Sequence, residues 1–212
     1  MKASLSTVDS FAETLREAVR QGDLSPGQRL VEADLTEKYG ISRGSLREAI
    51  RRLAAEGLVE LYHNKGARIT QLSSREIRGL YAVREALETL AAQLAAECIS
   101  KSGRKKLESL MRTADKAVDQ GDAERYIELN EQFHETIVEQ SANPTLIQLI
   151  KQLHTPVLRY QLRSFMNSSV LWRSHEDHKK ISSAIYAGNS SAARRAMQAH
   201  IRRSSKLADR TF

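Results

Sequence analysis

The chain has 212 residues, enough for one large or two small domains with real cores, and its 41% apolar and 28% charged make-up with only 3 prolines excludes collagen-like and low-complexity architectures. No apolar run is long enough to span a bilayer, no signal-peptide core opens the chain, and the lone Cys98 excludes internal disulfides and Cys-x-x-Cys metal knots; the expectation is a cytoplasmic protein without membrane contact. The net charge of +7 favours polyanions, but residues 1–72 hold 11 Lys+Arg against 10 Asp+Glu, so most of the surplus lies elsewhere, much of it on Arg194, Arg195, Arg202, Arg203, Lys206 and Arg210 as a solvated face of the last helix.

Over 10–21, Phe11, Leu15, Ala18 and Val19 recur at helical spacing, with Ser10 and Glu13 as a capping box. The breaker-rich run 22–27 predicts a turn. A short helix is expected over 32–39 with Leu35 inward, and Gly40 ends it. Ser42 then caps a third helix running to about Glu56, whose inward face is Leu46, Ala49, Ile50 and Leu53. Residues 58–62 and 67–70 are short runs of β-formers, joined by His63-Asn64-Lys65-Gly66 in a hairpin signal.

From Ser73 the texture changes to long helical patterns. Ser73 and Glu76 make a second capping box, and Ile77, Leu80, Tyr81, Arg84, Leu87, Ala91 and Leu94 follow at steps of three or four. Further helices are predicted over about 104–120, 122–141, 144–165, 170–187 and 190–209, punctuated by Gly121, Asn143-Pro144 and Gly188-Asn189. The fold class is therefore mostly α. A winged helix-turn-helix domain is expected over 1–72 and an all-helical antiparallel bundle over 73–212.

Helix, glycine turn, helix and hairpin form a winged helix-turn-helix, whose second helix must present its first turns to base edges in the major groove. Here those turns carry Ser42, Arg43, Ser45 and Arg47. An arginine can make two parallel hydrogen bonds to guanine, worth ~1–3 kcal/mol of discrimination, while serine hydroxyls and the helix N-terminus suit phosphate. Lys65 and Gly66 mark the wing, the lysine for phosphates and the glycine for close approach to the minor groove. Arg51 and Arg52, further along, face phosphates or solvent. An amphipathic surface helix would account for 43–56 by itself; the added wing, together with the family resemblance that follows, favours double-stranded DNA as the partner. One such helix reads few base pairs, so a homodimer on a palindromic operator is expected.

The run Ile41-Ser42-Arg43-Gly44-Ser45-Leu46-Arg47-Glu48-Ala49-Ile50-Arg51-Arg52-Leu53, followed by Glu56-Gly57-Leu58-Val59, resembles the signature of GntR-family regulators. Gly44 and Ser45 replace the family's usual Thr-Pro. An arginine on the preceding helix touches DNA in the FadR branch of that family, but Ala33 stands at the matching position, so that contact is not carried over.

In the helical half, Asn130 and His134 are four apart and share a face with Ile127 and Ile137. His178 lies on the stripe Leu171, Ile181, Ile185, and His200 on Ala193, Met197, Ile201. Three inward histidines from three helices are either satisfied core residues or ligands, and their number favours a site. His175 is expected to be exposed. Arg84 points inward too, either as a clamp on an anionic, carboxylate-bearing effector or in a buried salt bridge with a nearby glutamate; Arg159 and Arg163 are weaker candidates for the same clamp.

Tyr81-Ala82-Val83-Arg84-Glu85-Ala86-Leu87-Glu88, Asn130-Glu131-Gln132-Phe133-His134, Ser141-Ala142-Asn143-Pro144, His178-Lys179-Lys180-Ile181 and His200-Ile201 together resemble the FCD effector domain of the FadR branch over nearly all of 75–205. The resemblance implies a divalent metal on Asn130, His134, His178 and His200, with a neutral Asn130 where an acidic ligand is common. Three imidazoles favour zinc or nickel, with manganese also admissible, over magnesium or calcium.

The function implied is a DNA-binding transcriptional regulator of the repressor type, controlled by a small anionic metabolite, and not an enzyme. Two other readings compete. A metal-dependent hydrolase could use an open position on zinc to activate water, although no carboxylate base accompanies the histidines in the sequence pattern. A helical interaction protein without metal or effector would be indifferent to chelators.

Overall fold

Residues 7–72 build helices and a small sheet around one apolar core. The structure, a computed structural model, describes residues 7–63, 65–153 and 167–209. They fall into two units divided between Leu72 and Ser73.

In the first unit, α1 (Thr7–Gln21) starts one turn before the expected Ser10. Ser10 is thus inside the helix, and its carbonyl accepts from the Thr14 hydroxyl. Helices α2 (Glu32–Tyr39) and α3 (Arg43–Ala55) follow, joined through Gly40. Ser42 caps α3 by accepting from the Ser45 backbone N–H at 3.1 Å, which satisfies one of the donors a helix start leaves open. The wing strands are β2 (Val59–Tyr62) and β3 (Gly66–Ile69). A third strand, β1 (Arg29–Leu30), pairs with the other side of β3, giving the antiparallel order β1-β3-β2. Gly66 opens β3 at φ 86°, a backbone state that side chains with a Cβ disfavour. Phe11, Leu15, Val19, Leu35, Leu46, Ile50, Leu53, Leu58 and Ile69 form the buried core, so α3 is anchored by one face and its polar face is left outside.

The second unit opens with α4 (Ser74–Cys98), whose capping box on Ser73 and Glu76 is formed as expected. Then come α5 (Lys101–Asp119), α6 (Ala123–Gln140), α7 (Pro144–Leu153), α8 (Ser168–Tyr186) and α9 (Ser190–Asp209). Helix α5 starts three residues before expectation because Ser100 caps it. The helix expected over 144–165 is described as far as Leu153. Helix α4 packs chiefly against α9, where Ala91, Ala92, Ala95 and Ala96 meet a face carrying Ala193, Met197 and Ile201, all buried. Small side chains let the two backbones approach closely, and the pair forms a firm wall for what lies between α4, α6, α8 and α9. The fold is the mostly helical two-part architecture read from the sequence.

Candidate functional site

The first candidate is the exposed start of α3. Ser42, Arg43 and Arg47 are exposed there and Ser45 half-buried. Ser42 and Ser45 hydroxyls bond one another at 3.0 Å. Arg47 is not loose: its Nε and one Nη fork onto the Glu32 carboxylate of α2 at 3.0 and 3.1 Å. Arg52 is exposed, as expected, and also pairs with Asp9 on α1 and with Glu48. Lys65 and Gly66 are exposed on the wing.

The second candidate lies inside the helical unit. His134 on α6, His178 on α8 and His200 on α9 are buried, and one nitrogen from each falls within 4.8 Å of the others. The positions fold this way for simple reasons. His178 belongs to the buried stripe Leu171, His175, His178, Ser182, Ile185, and its ring stacks on Phe133 with centroids 3.9 Å apart. His175, expected to be exposed, lies on that same stripe and is 2% exposed, with Nε2 on Asp115 at 2.8 Å. Asn130 is half-buried one turn before His134.

Two carboxylates that sequence reasoning did not bring to the histidines stand behind them. Glu88 of α4 places Oε2 2.5 Å from His134 Nδ1, and Asp177 of α8 places Oδ2 3.5 Å from His200 Nδ1. Each carboxylate also meets an arginine: Arg84 Nε lies 2.7 Å from Glu88 Oε1, and Arg203 pairs with Asp177. Glu88 was readable as an i,i+4 partner of Arg84; its reach to His134 is tertiary and leaves no local signal. Burial works to raise the Glu88 pKa, but the Arg84 charge and the contact with His134 win and hold it well below the usual carboxylate range.

The donor set fits a divalent cation. His134 and His200 have Nδ1 beside carboxylates and their Nε2 atoms 3.3 Å apart, and buried His178 Nε2 has no partner among the described residues. An extra proton is a poor remedy: burial and then His134 push the His200 pKa down to about 3, and burial lowers that of His178 also. Two imidazoles on one tetrahedral zinc at ~2.0–2.1 Å stand roughly 3.3–3.4 Å apart, the separation found here. Beside this cluster is a cavity of ≈ 300 Å³ whose lining includes Arg84, Glu88, His134, Val138, Ile147 and Ile150. Arg84 thus makes the salt bridge and also borders the cavity. Arg159 and Arg163 lie outside the described residues.

Residues 7–69 match the bacterial regulatory proteins, gntR family, and residues 79–203 match the FCD domain. The chain belongs to the GntR family. Among GntR relatives, LutR of Bacillus subtilis is 30% identical over 86% of this chain and 92% of its own length. The repressor RspR of Escherichia coli is 28% identical over 84% of this chain and 78% of its own. Of solved structures, E. coli McbR/YncC superposes with a TM-score of 0.80 at 23% identity, over 96% of this chain and 97% of that one. A GntR regulator from Rhodococcus sp. RHA1 gives 0.83 at 20%, over 98% and 100%. This GntR chain is a helix-turn-helix transcriptional regulator with an FCD effector domain, and no helix among its described residues is long and apolar enough to cross a membrane.

Proposed function

We propose that the chain is a homodimeric repressor whose hold on a palindromic operator is set by a small carboxylate-bearing metabolite. Residues 1–72 read the DNA: Arg43 and Arg47 take base edges, Ser42 and Ser45 the phosphates at the helix start, and Lys65 and Gly66 the flanking groove. Residues 73–212 sense and dimerise. His134, His178 and His200, with Asn130, hold one divalent metal, with zinc or nickel ahead of manganese; such an ion offers an open position for a carboxylate, and Arg84 supplies a cation beside it. The exposed arginine-bearing start of α3 on a buried, capped frame is the observation that carries the reading, and the repressors RspR and GlaR among the relatives agree with it. Hydrolysis is disfavoured because both carboxylates beside the histidines are engaged by arginines, Glu88 by Arg84 and Asp177 by Arg203.

The test is DNA selection followed by binding of the selected and scrambled duplexes. Arg43→Ala and Arg47→Ala should lose discrimination, by ~1–3 kcal/mol per bidentate contact, whereas Lys65→Ala should weaken both duplexes alike. Equal losses on both duplexes for the two arginine variants would overturn the assignment.

A further inference from the structure

We propose that Glu88 and Asp177 are positioning residues of the metal centre that set how the His134 and His200 rings present Nε2. The inference rests on the metal reading above. Behind two of the three rings the structure places a buried carboxylate, Glu88 at His134 Nδ1 and Asp177 at His200 Nδ1. A carboxylate in that place fixes the Nδ1–H tautomer, turns Nε2 toward the ion and makes the ring a better donor. Nε2 of each ring does face the other.

The carboxylates are themselves held. Arg84 binds the far oxygen of Glu88, and Arg203 pairs with Asp177, so neither acid is free to swing round and replace an imidazole. His178, by contrast, is oriented by stacking on Phe133. The centre is thus built as two arginine–carboxylate–histidine chains and one stacked ring.

The experiment is zinc competition against a chromophoric chelator on the full-length protein, paired with the visible absorption of the cobalt(II) form. Glu88→Gln keeps the side-chain shape and removes the charge; Arg84, with 23% of its side chain exposed beside the cavity, retains access to water. Zinc affinity should fall ~10–100-fold, and the cobalt bands should shift because the His134 donor has changed. Asp177→Asn should act in the same direction to a smaller extent, its contact being longer, and carries the test if Glu88→Gln fails to fold. A purely structural role would lower the melting temperature of the metal-free protein without moving the cobalt bands. Wild-type affinity and unchanged bands in both variants overturn this inference and leave the metal reading standing. A wild-type protein that takes up neither zinc nor cobalt overturns the metal reading itself.

Discussion

Acid should dismantle the metal-free helical unit on a schedule set by its buried imidazoles. Burial, followed by the neighbouring imidazoles, lowers His178 and His200 below the ordinary histidine value of 6.5, His200 to about 3. In the unfolded chain the same rings take protons near 6.5. Between about 3 and 6.5 the unfolded state therefore binds more protons than the folded state, and stability falls as pH falls through that window. Above it these two rings impose no pH dependence. At 1.36 kcal/mol per unit, the ~1.5 units from 6.5 down to about pH 5 make His200 alone worth about 2 kcal/mol, and His178 adds to this in the same direction. Such a loss is a large part of the ~5–15 kcal/mol that holds a typical domain. Urea unfolding with chelator present, at about pH 7.5, 6 and 5, reads it directly: the midpoint should move down with an unchanged slope, and His200→Gln should flatten the profile. A wild-type midpoint that stays level from about pH 7.5 to 5 refutes the reasoning.

Zinc at 100 times its dissociation constant should stabilise the native protein by about 2.7 kcal/mol through mass action. His200→Ala should abolish that gain in a thermal melt while leaving basal DNA binding intact, and Asn130→Asp should enlarge it. Gly103 lies in the first turn of α5, where alanine would ordinarily gain ~1 kcal/mol of helix propensity. Here an added Cβ would come 2.1 Å from the Gln140 side chain, whose Oε1 accepts from Ser100 N–H and Oγ–H at 3.1 and 2.8 Å. Losing those two bonds, at ~0.5–1.5 kcal/mol each, should make Gly103→Ala net destabilising in a melt, against the propensity scale.

The winged unit was legible because its signals are local. Ser42 and Ser73 cap where their spacing to Ser45 and Glu76 predicts, and the inward faces of α3, α6, α8 and α9 follow the 3.6-residue period. Strand β1 was not legible, since two residues cannot show an alternation. The start of α5 was missed because Ser100 caps a glycine-containing turn that reads as a breaker. In the candidate site, the inward aim of His134, His178 and His200 could be read from their stripes, and the structure brings them together. Glu88 and Asp177 could not be assigned to them, because the contacts join α4 to α6 and α8 to α9 across the bundle. The burial of His175, against the expected exposure, follows from the stripe it shares with Leu171, His178 and Ser182.

On the DNA-reading role proposed for it, Arg47 meets every stretch of sequence with its guanidinium already forked on Glu32. Non-specific grip comes from cations that displace counterions along the phosphates, and a guanidinium engaged by its own carboxylate adds little to that grip. A base edge that offers two acceptors at fork spacing competes for it, and a lone phosphate does so poorly, with the Glu32 charge alongside repelling it. On that role, a weaker grip on phosphates alone would favour release from the ~10⁶–10⁹ sites that compete with one operator.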